Sequence, residues 1–74
     1  MSIKNPDTQM CENFKLLRAE KGLSVKELSK LSGVSKYMIK KLETGIMPKY
    51  ITVTHVFKLC NFFGIKIHKI FSLL

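Results

Sequence analysis

The chain has 74 residues, of which 46% are hydrophobic, and it carries a formal net charge of +8 at pH 7. A chain of this length accommodates one small domain and excludes a large active-site cavity beside a separate regulatory domain. The basic excess favours a polyanionic partner, with nucleic acid ahead of an anionic membrane surface, and the alternative is a solvated basic surface without a partner.

The cysteine content and the hydropathy pattern indicate where the protein works. Cys11 and Cys60 do not form a CxxC pair, so no disulfide framework is indicated. Cys60 lies in an apolar helical pattern and is predicted to be buried, whereas Cys11 is predicted to be a surface thiol. No apolar run approaches the roughly 18 residues of a membrane span, and no signal peptide is apparent. We therefore expect a cytoplasmic protein without a membrane partner.

Residues 1–7 are predicted to form a flexible arm, and residues 8–74 a single domain. The first helix is expected to begin at residue 7 or 8 and to run to Lys21, because Gly22 is typical of a helix C-terminus. Its apolar stripe consists of Met10, Phe14 and Leu17.

The second helix begins at a capping box, in which Ser24 and Glu27 satisfy each other's backbone N–H groups. It is predicted to span about Val25 to Leu31 and to end before Gly33. Its inward residues are expected to be Leu28 and Leu31.

The third helix is the stretch SKYMIKKLETG, capped by Ser35 and closed by Gly45. At 100° per residue, Ser35, Ile39 and Leu42 face the protein, and Glu43 lies on the same side. An inward carboxylate needs a cationic partner or hydrogen-bond donors, because otherwise it takes up a proton. The outward side is basic and polar: Tyr37, Lys40, Lys41 and Thr44, with Lys36 at its edge.

Two more helices complete a predicted compact, all-α, five-helix fold. Thr52 caps the fourth helix, which Gly64 ends, and a short fifth helix covers about Ile67 to Phe71. The inward residues of the fourth helix are predicted to be Val53, Val56, Leu59, Cys60 and Phe63.

The second and third helices, joined by a short turn at Gly33, form a helix-turn-helix arrangement. The run FKLLRAEKGLSVKELSKLSGVSKYMIKKLETG resembles the Cro/CI-type (XRE) family, which implies a lambda-repressor-like DNA-binding domain. The matching residues are Arg18, Gly22, Leu23, Ser24, Leu28, Gly33, Val34, Ser35, Ile39, Glu43 and Gly45.

The resemblance implies a partner for Glu43, because family members pair the acid at this place with the arginine at the place of Arg18. It also implies base-reading roles for Lys36, Tyr37 and Lys41 in the third helix. Three lysines on this face favour affinity over selectivity. The predicted phosphate-binding residues are Arg18, Ser24, Val25, Lys40, Thr44 and Lys49.

The C-terminal third contains more apolar side chains than so small a core accommodates. We expect these residues to form a homodimer interface, which would read an inverted repeat with half-sites about one helical turn apart. The alternative is partial cover by lysine stems and by the tail. The predicted interface residues are Phe57, Phe62, Phe71 and Leu74.

The sequence therefore predicts double-stranded DNA binding by a small transcriptional regulator that acts as a repressor. No cofactor, metal, small-molecule substrate or enzymatic activity is expected, because His55, His68 and Cys60 have poor ligand spacing and no nucleophile has a positioned base. One alternative is an antitoxin-like protein that binds a toxin and regulates its own promoter. Another is a sequence-independent cationic binder, which the helix-turn-helix framework argues against.

Overall fold

The computed structural model describes residues 5–73. It contains α1 (Pro6–Glu20), α2 (Val25–Ser32), α3 (Lys36–Glu43) and α4 (Val53–Phe63), followed by a 3₁₀ helix (Ile67–Lys69). No strand occurs in this range, so the predicted all-α fold is confirmed.

The predicted fifth α-helix is not confirmed. The segment forms a 3₁₀ helix of only three residues, and its N-cap, Lys66, makes no side-chain capping hydrogen bond. Its backbone bonds join residues three apart, from the Lys69 N–H to the Lys66 carbonyl and from the Ile70 N–H to the Ile67 carbonyl. Such bonds define short, tight turns that rarely extend further.

The predicted helix caps are present. The Oγ atom of Ser24 accepts from the Glu27 N–H at 3.0 Å, and Glu27 returns a bond to the Ser24 N–H at 2.9 Å. Ser35 accepts from the Met38 N–H at 3.2 Å. Ser35 is exposed, so its predicted inward orientation is wrong; as the N-cap it has extended backbone dihedrals (φ −61°, ψ 151°), to which helical periodicity does not apply. Gly33, at φ 81°, supplies the left-handed turn between α2 and α3.

The first helix begins earlier than the sequence pattern indicated. Asn5 is its N-cap and accepts from the Thr8 N–H at 2.8 Å, which places Pro6 at the first helical position. The last residues of the predicted arm therefore belong to α1, while residues 1–4 lie outside the described range.

All four α-helices contribute buried residues to the core. The predicted exposure of one residue and the predicted burial of two others are wrong. Cys11 is buried, because α1 is covered on more than one side and its buried stripe is wide. Leu31, in the last turn of α2, and Val53, the first residue of α4, are exposed. The buried hydrophobic residues are Met10, Cys11, Phe14, Leu28, Val34, Met38, Ile39, Leu42, Val56, Leu59, Cys60 and Ile70.

A buried asparagine fastens the C-terminal segment to α1. Asn13 is 2% exposed, and its Nδ2 atom donates to the carbonyls of Ile70 and Ser72, both at 2.7 Å. Its Oδ1 atom accepts from Nε2 of Gln9 at 3.0 Å. The amide thus supplies hydrogen-bond donors to two backbone carbonyls at the edge of the core.

We expect Asn13→Ala to lower the free energy of unfolding by about 1–3 kcal/mol, because it removes two donors from partly or fully buried carbonyls. Urea denaturation followed by circular dichroism measures this loss. Asn61→Ala is the matched control, since Asn61 is exposed on α4. Equal, small effects of the two substitutions would contradict this role of Asn13.

Candidate nucleic-acid interface

The outward surface of α3 is a basic, aromatic face of the helix-turn-helix segment. Lys36, Lys40 and Lys41 are all exposed, and the Tyr37 side chain is 66% exposed. The opposite side of this eight-residue helix is buried through Met38, Ile39 and Leu42. One face of α3 is therefore anchored in the core, and the other is free to contact a partner.

The inward acid at the end of α3 pairs with Arg18 of α1. Nε of Arg18 donates to Oε2 of Glu43 at 2.5 Å, and Nη2 donates to Oε1 at 2.8 Å. The two side chains are 19% and 12% exposed. Hydrogen bonding to Glu43 raises the pKa of the Arg18 guanidinium further above its ordinary value. The predicted pair is thus confirmed as a bidentate ion pair.

The same guanidinium also reaches the start of the helix-turn-helix segment. Nη1 of Arg18 donates to the Leu23 carbonyl at 2.7 Å, immediately before the capping box of α2. Three of the five guanidinium N–H donors are therefore engaged within the protein. Arg18 connects α1, the loop before α2, and the C-terminal end of α3.

At the N-terminus of α2, not every backbone N–H group that was predicted to bind phosphate is free of a hydrogen bond within the protein. The Ser24 N–H is occupied by the Glu27 carboxylate, so it is not available to a phosphate without breaking the capping box. Hydrogen bonding by Ser24, chiefly through its backbone N–H, lowers the pKa of the Glu27 carboxyl. Val25 packs its side chain on the core and occupies the first position of the helix, where a backbone N–H has no intrahelical acceptor.

The remaining predicted phosphate-binding residues lie at and beyond the end of α3. Lys40 is exposed and makes no ion pair within residues 5–73. The hydroxyl of Thr44 donates to the Lys41 carbonyl at 2.6 Å, so a phosphate contact would replace an existing bond. Lys49 lies in the following loop, with Nζ 5.8 Å from the centroid of the Tyr50 ring.

Comparison with protein families identifies this arrangement. A family model described as helix-turn-helix matches residues 14–70, more than half of the chain. The chain belongs to the Cro/CI-type (XRE) helix-turn-helix family. The members of this family are DNA-binding transcription regulators and are generally not enzymes. Comparison with curated proteins and with solved structures found no match.

The aromatic residues of this Cro/CI-type protein do not all lie at the surface. Phe57 is 57% exposed and Phe71 is 36% exposed. Phe62 instead is half-buried and packs edge-on against Phe63, with ring centroids 5.2 Å apart. Nζ of Lys21 lies 5.8 Å from the Phe62 centroid and so covers part of the ring. Leu74 is outside the described residues.

His55, one of the three residues with poor spacing for a metal site, caps a helix instead. Nδ1 of His55 accepts from the Thr52 N–H at 3.0 Å and completes a capping box at the start of α4. Across residues 5–73, no group of three or more His, Cys, Asp and Glu side chains is arranged to hold a metal ion. In the same range, no helix is long and apolar enough to cross a membrane.

We expect Glu43→Ala to destabilise the fold by about 1–3 kcal/mol, because it leaves the partly buried Arg18 guanidinium without its acceptor. Thermal and urea denaturation measure the change. Glu20→Ala, which removes an exposed acid from α1, is the control and should have little effect. An unchanged unfolding curve for Glu43→Ala would contradict an energetic role for the pair.

Proposed function

We propose that this chain binds specific double-stranded DNA sequences and represses transcription by occupying a promoter. The carrying observation is the exposed basic face of α3, which is held in one orientation by the Arg18–Glu43 pair. In helix-turn-helix proteins, the second helix enters the major groove and its N-terminal residues contact base edges. Lys36 and Tyr37 occupy the first two positions of α3.

The base contacts proposed for α3 differ in chemistry. Lys36 and Lys41 can each donate to O6 and N7 of guanine, and Tyr37 can pack on a thymine methyl group. Lys40 and Lys49 are proposed to bind backbone phosphates, as are Arg18 through its remaining donors and Ser24 through its hydroxyl. Lysine is a point charge on a flexible stem and discriminates less between bases than arginine does. Binding should therefore depend strongly on salt.

We further propose that the protein acts as a homodimer through an apolar face at the start of α4. This face includes a groove of about 360 Å³, whose lining contains Met47, Ile51 and Ile67 together with the exposed side chains of Val53 and Phe71. Phe57, also exposed, lies one helical turn after Val53 on α4.

Charge supports a second copy as the occupant of the apolar face. Two chains of net charge +8 repel each other wherever lysines meet. The α4 sequence VTHVFKLCNFF contains one lysine and no acid, so this helix offers an approach with little charge. Large exposed apolar patches commonly mark protein interaction sites. A two-fold dimer would read two half-sites related by the same symmetry.

We expect Lys36→Ala and Lys41→Ala each to weaken binding to the preferred duplex by roughly tenfold, because each removes a base-edge contact. Selection from a random duplex library identifies that sequence, and titration against a scrambled duplex at two salt concentrations measures the affinities. Lys15→Ala is the control, as it removes an exposed lysine from α1. Equal losses for all three variants would mean that general charge, and not α3, controls binding.

We expect Phe57→Ser to raise the dimer dissociation constant by about tenfold or more, because buried aromatic anchors contribute most to such interfaces. Analytical ultracentrifugation over a concentration series measures it. Leu31→Ser is the matched control, since Leu31 is 60% exposed but lies on α2. A wild-type protein that remains monomeric at all concentrations would contradict the proposed dimer.

A further inference from the structure

A second groove, of about 510 Å³, lies between α1 and the C-terminal segment, and we call it the α1 groove. Its lining includes Leu16 and Leu73, whose side chains are 48% and 84% exposed. The hydrogen bonds from Asn13 to the carbonyls of Ile70 and Ser72 join the two walls. The groove is therefore part of the folded domain, and exposed apolar side chains in such a recess are typical of interaction sites.

The α1 groove faces away from α3. Arg18 extends from α1 toward Glu43 at the C-terminal end of α3. At about 100° per residue, Leu16 and Arg18 lie on nearly opposite sides of α1, roughly 160° apart around its axis. A molecule bound in the α1 groove therefore leaves the basic face of α3 exposed.

The charge of α1 differs from that of the other helices. Among the four α-helices of residues 5–73, α1 is the one in which acidic residues outnumber basic ones. Its acids are Asp7, Glu12 and Glu20, and its basic residues are Lys15 and Arg18. The guanidinium of the last of these is already paired with the acid at the end of α3. Because DNA is a polyanion, this side of the domain suits a basic partner better than a duplex.

Two of these acids lie on either side of the exposed leucine. Glu12 lines the groove four residues before Leu16, and Glu20 follows four residues after it. Residues four apart lie on one side of a helix, so the three form a stripe with an apolar centre and negative ends, roughly 12 Å apart along the axis. Lys15 also lines the groove. A helix with an apolar residue between two basic residues, at the same spacing, complements this stripe.

A second copy of this chain fits the α1 groove poorly. If two α1 helices paired antiparallel about Leu16, Glu12 of one would lie opposite Glu20 of the other, and these like charges would repel. The apolar face of α4 is already assigned to the proposed homodimer, and that helix contains one lysine only. The charges therefore favour a different protein as the occupant.

We propose that the α1 groove binds a basic amphipathic helix of a second protein. The apolar side chains of that helix cover Leu16 and Leu73, and its lysines or arginines lie beside Glu12 and Glu20. An amphipathic helix that places its apolar face in a groove is a common mode of peptide recognition. This inference goes beyond DNA binding, because it gives the domain a surface for a protein partner on the side opposite α3.

The test measures binding of two synthetic amphipathic peptides to the full chain by fluorescence anisotropy. Each peptide is labelled with fluorescein, has about 18 residues and carries leucines every third or fourth residue. One has lysines flanking the leucine stripe, and the other has glutamines at the same positions. The net charge of +8 repels the lysine peptide, so tighter binding of this peptide requires a local acidic site. We expect it to bind roughly threefold or more tightly than the glutamine peptide, with a difference that shrinks as salt increases.

Variants of the chain locate the binding site of the lysine peptide. Leu16→Ser should weaken its binding by roughly fivefold or more, because the substitution removes the apolar centre of the groove. Glu20→Gln should bring the affinities of the two peptides closer together. Leu31→Ser on α2 and Phe57→Ser on α4 are the controls, since each removes another exposed apolar side chain, and both should leave the affinity unchanged. Melting temperatures verify that each variant is folded.

The remaining outcomes separate this inference from the proposed function. Equal affinities of the two peptides, no binding of either, or an unchanged affinity of Leu16→Ser would overturn the inference. A loss that follows Phe57→Ser instead would also overturn it, because the peptide would then lie on α4. If Leu16→Ser raises the dimer dissociation constant in the analytical ultracentrifuge, a second copy occupies the groove and the inference is wrong. Leu16→Ser should leave affinity for the selected duplex unchanged, and failure of the wild type to bind any duplex would overturn the proposed function alone.

Discussion

The orientation of α3 depends on one guanidinium group. Arg18 binds Glu43 through two hydrogen bonds and the Leu23 carbonyl through a third, so it joins α1 to both ends of the helix-turn-helix segment. An isolated helix of eight residues is unstable in water, and α3 therefore requires tertiary contacts. Apolar packing holds its inner side but is not directional, whereas a bidentate pair has a preferred geometry. The pair thus restricts rotation of a short helix whose outer side chains must keep their register.

The basic surface of the chain is carried by this rigid framework. A polycation binds any duplex, and its affinity reflects the number of phosphates that it neutralises. The helices and their caps fix where the exposed lysines lie on the described part of the chain. In the capping box of α2, the hydrogen bonds that begin the helix also hold the Glu27 carboxylate beside Ser24.

Much of the fold could be predicted because its signals are local. The caps at Ser24, Ser35 and Thr52 and the glycine turns require only nearby residues. The need of Glu43 for a partner also followed from helical periodicity, although the choice of Arg18 came from the family resemblance. The burial of Asn13 and Cys11 and the exposure of Leu31 and Val53 depend on which elements cover them. These contacts join distant parts of the chain, as between Asn13 and Ile70, and periodicity within one helix contains no information about them.

The reactivity of the two buried cysteines can report on unfolding of this domain. Cys11 lies in α1 and Cys60 in α4, and both are free thiols that are at most 2% exposed. Burial raises the pKa of both thiols, and the negative charge of Asp7 raises that of Cys11 further. Alkylating reagents react with exposed thiolates, so the folded chain should resist them until a segment unfolds. Labelling rates at the two positions can therefore distinguish fraying of the first helix from global unfolding, without any introduced probe.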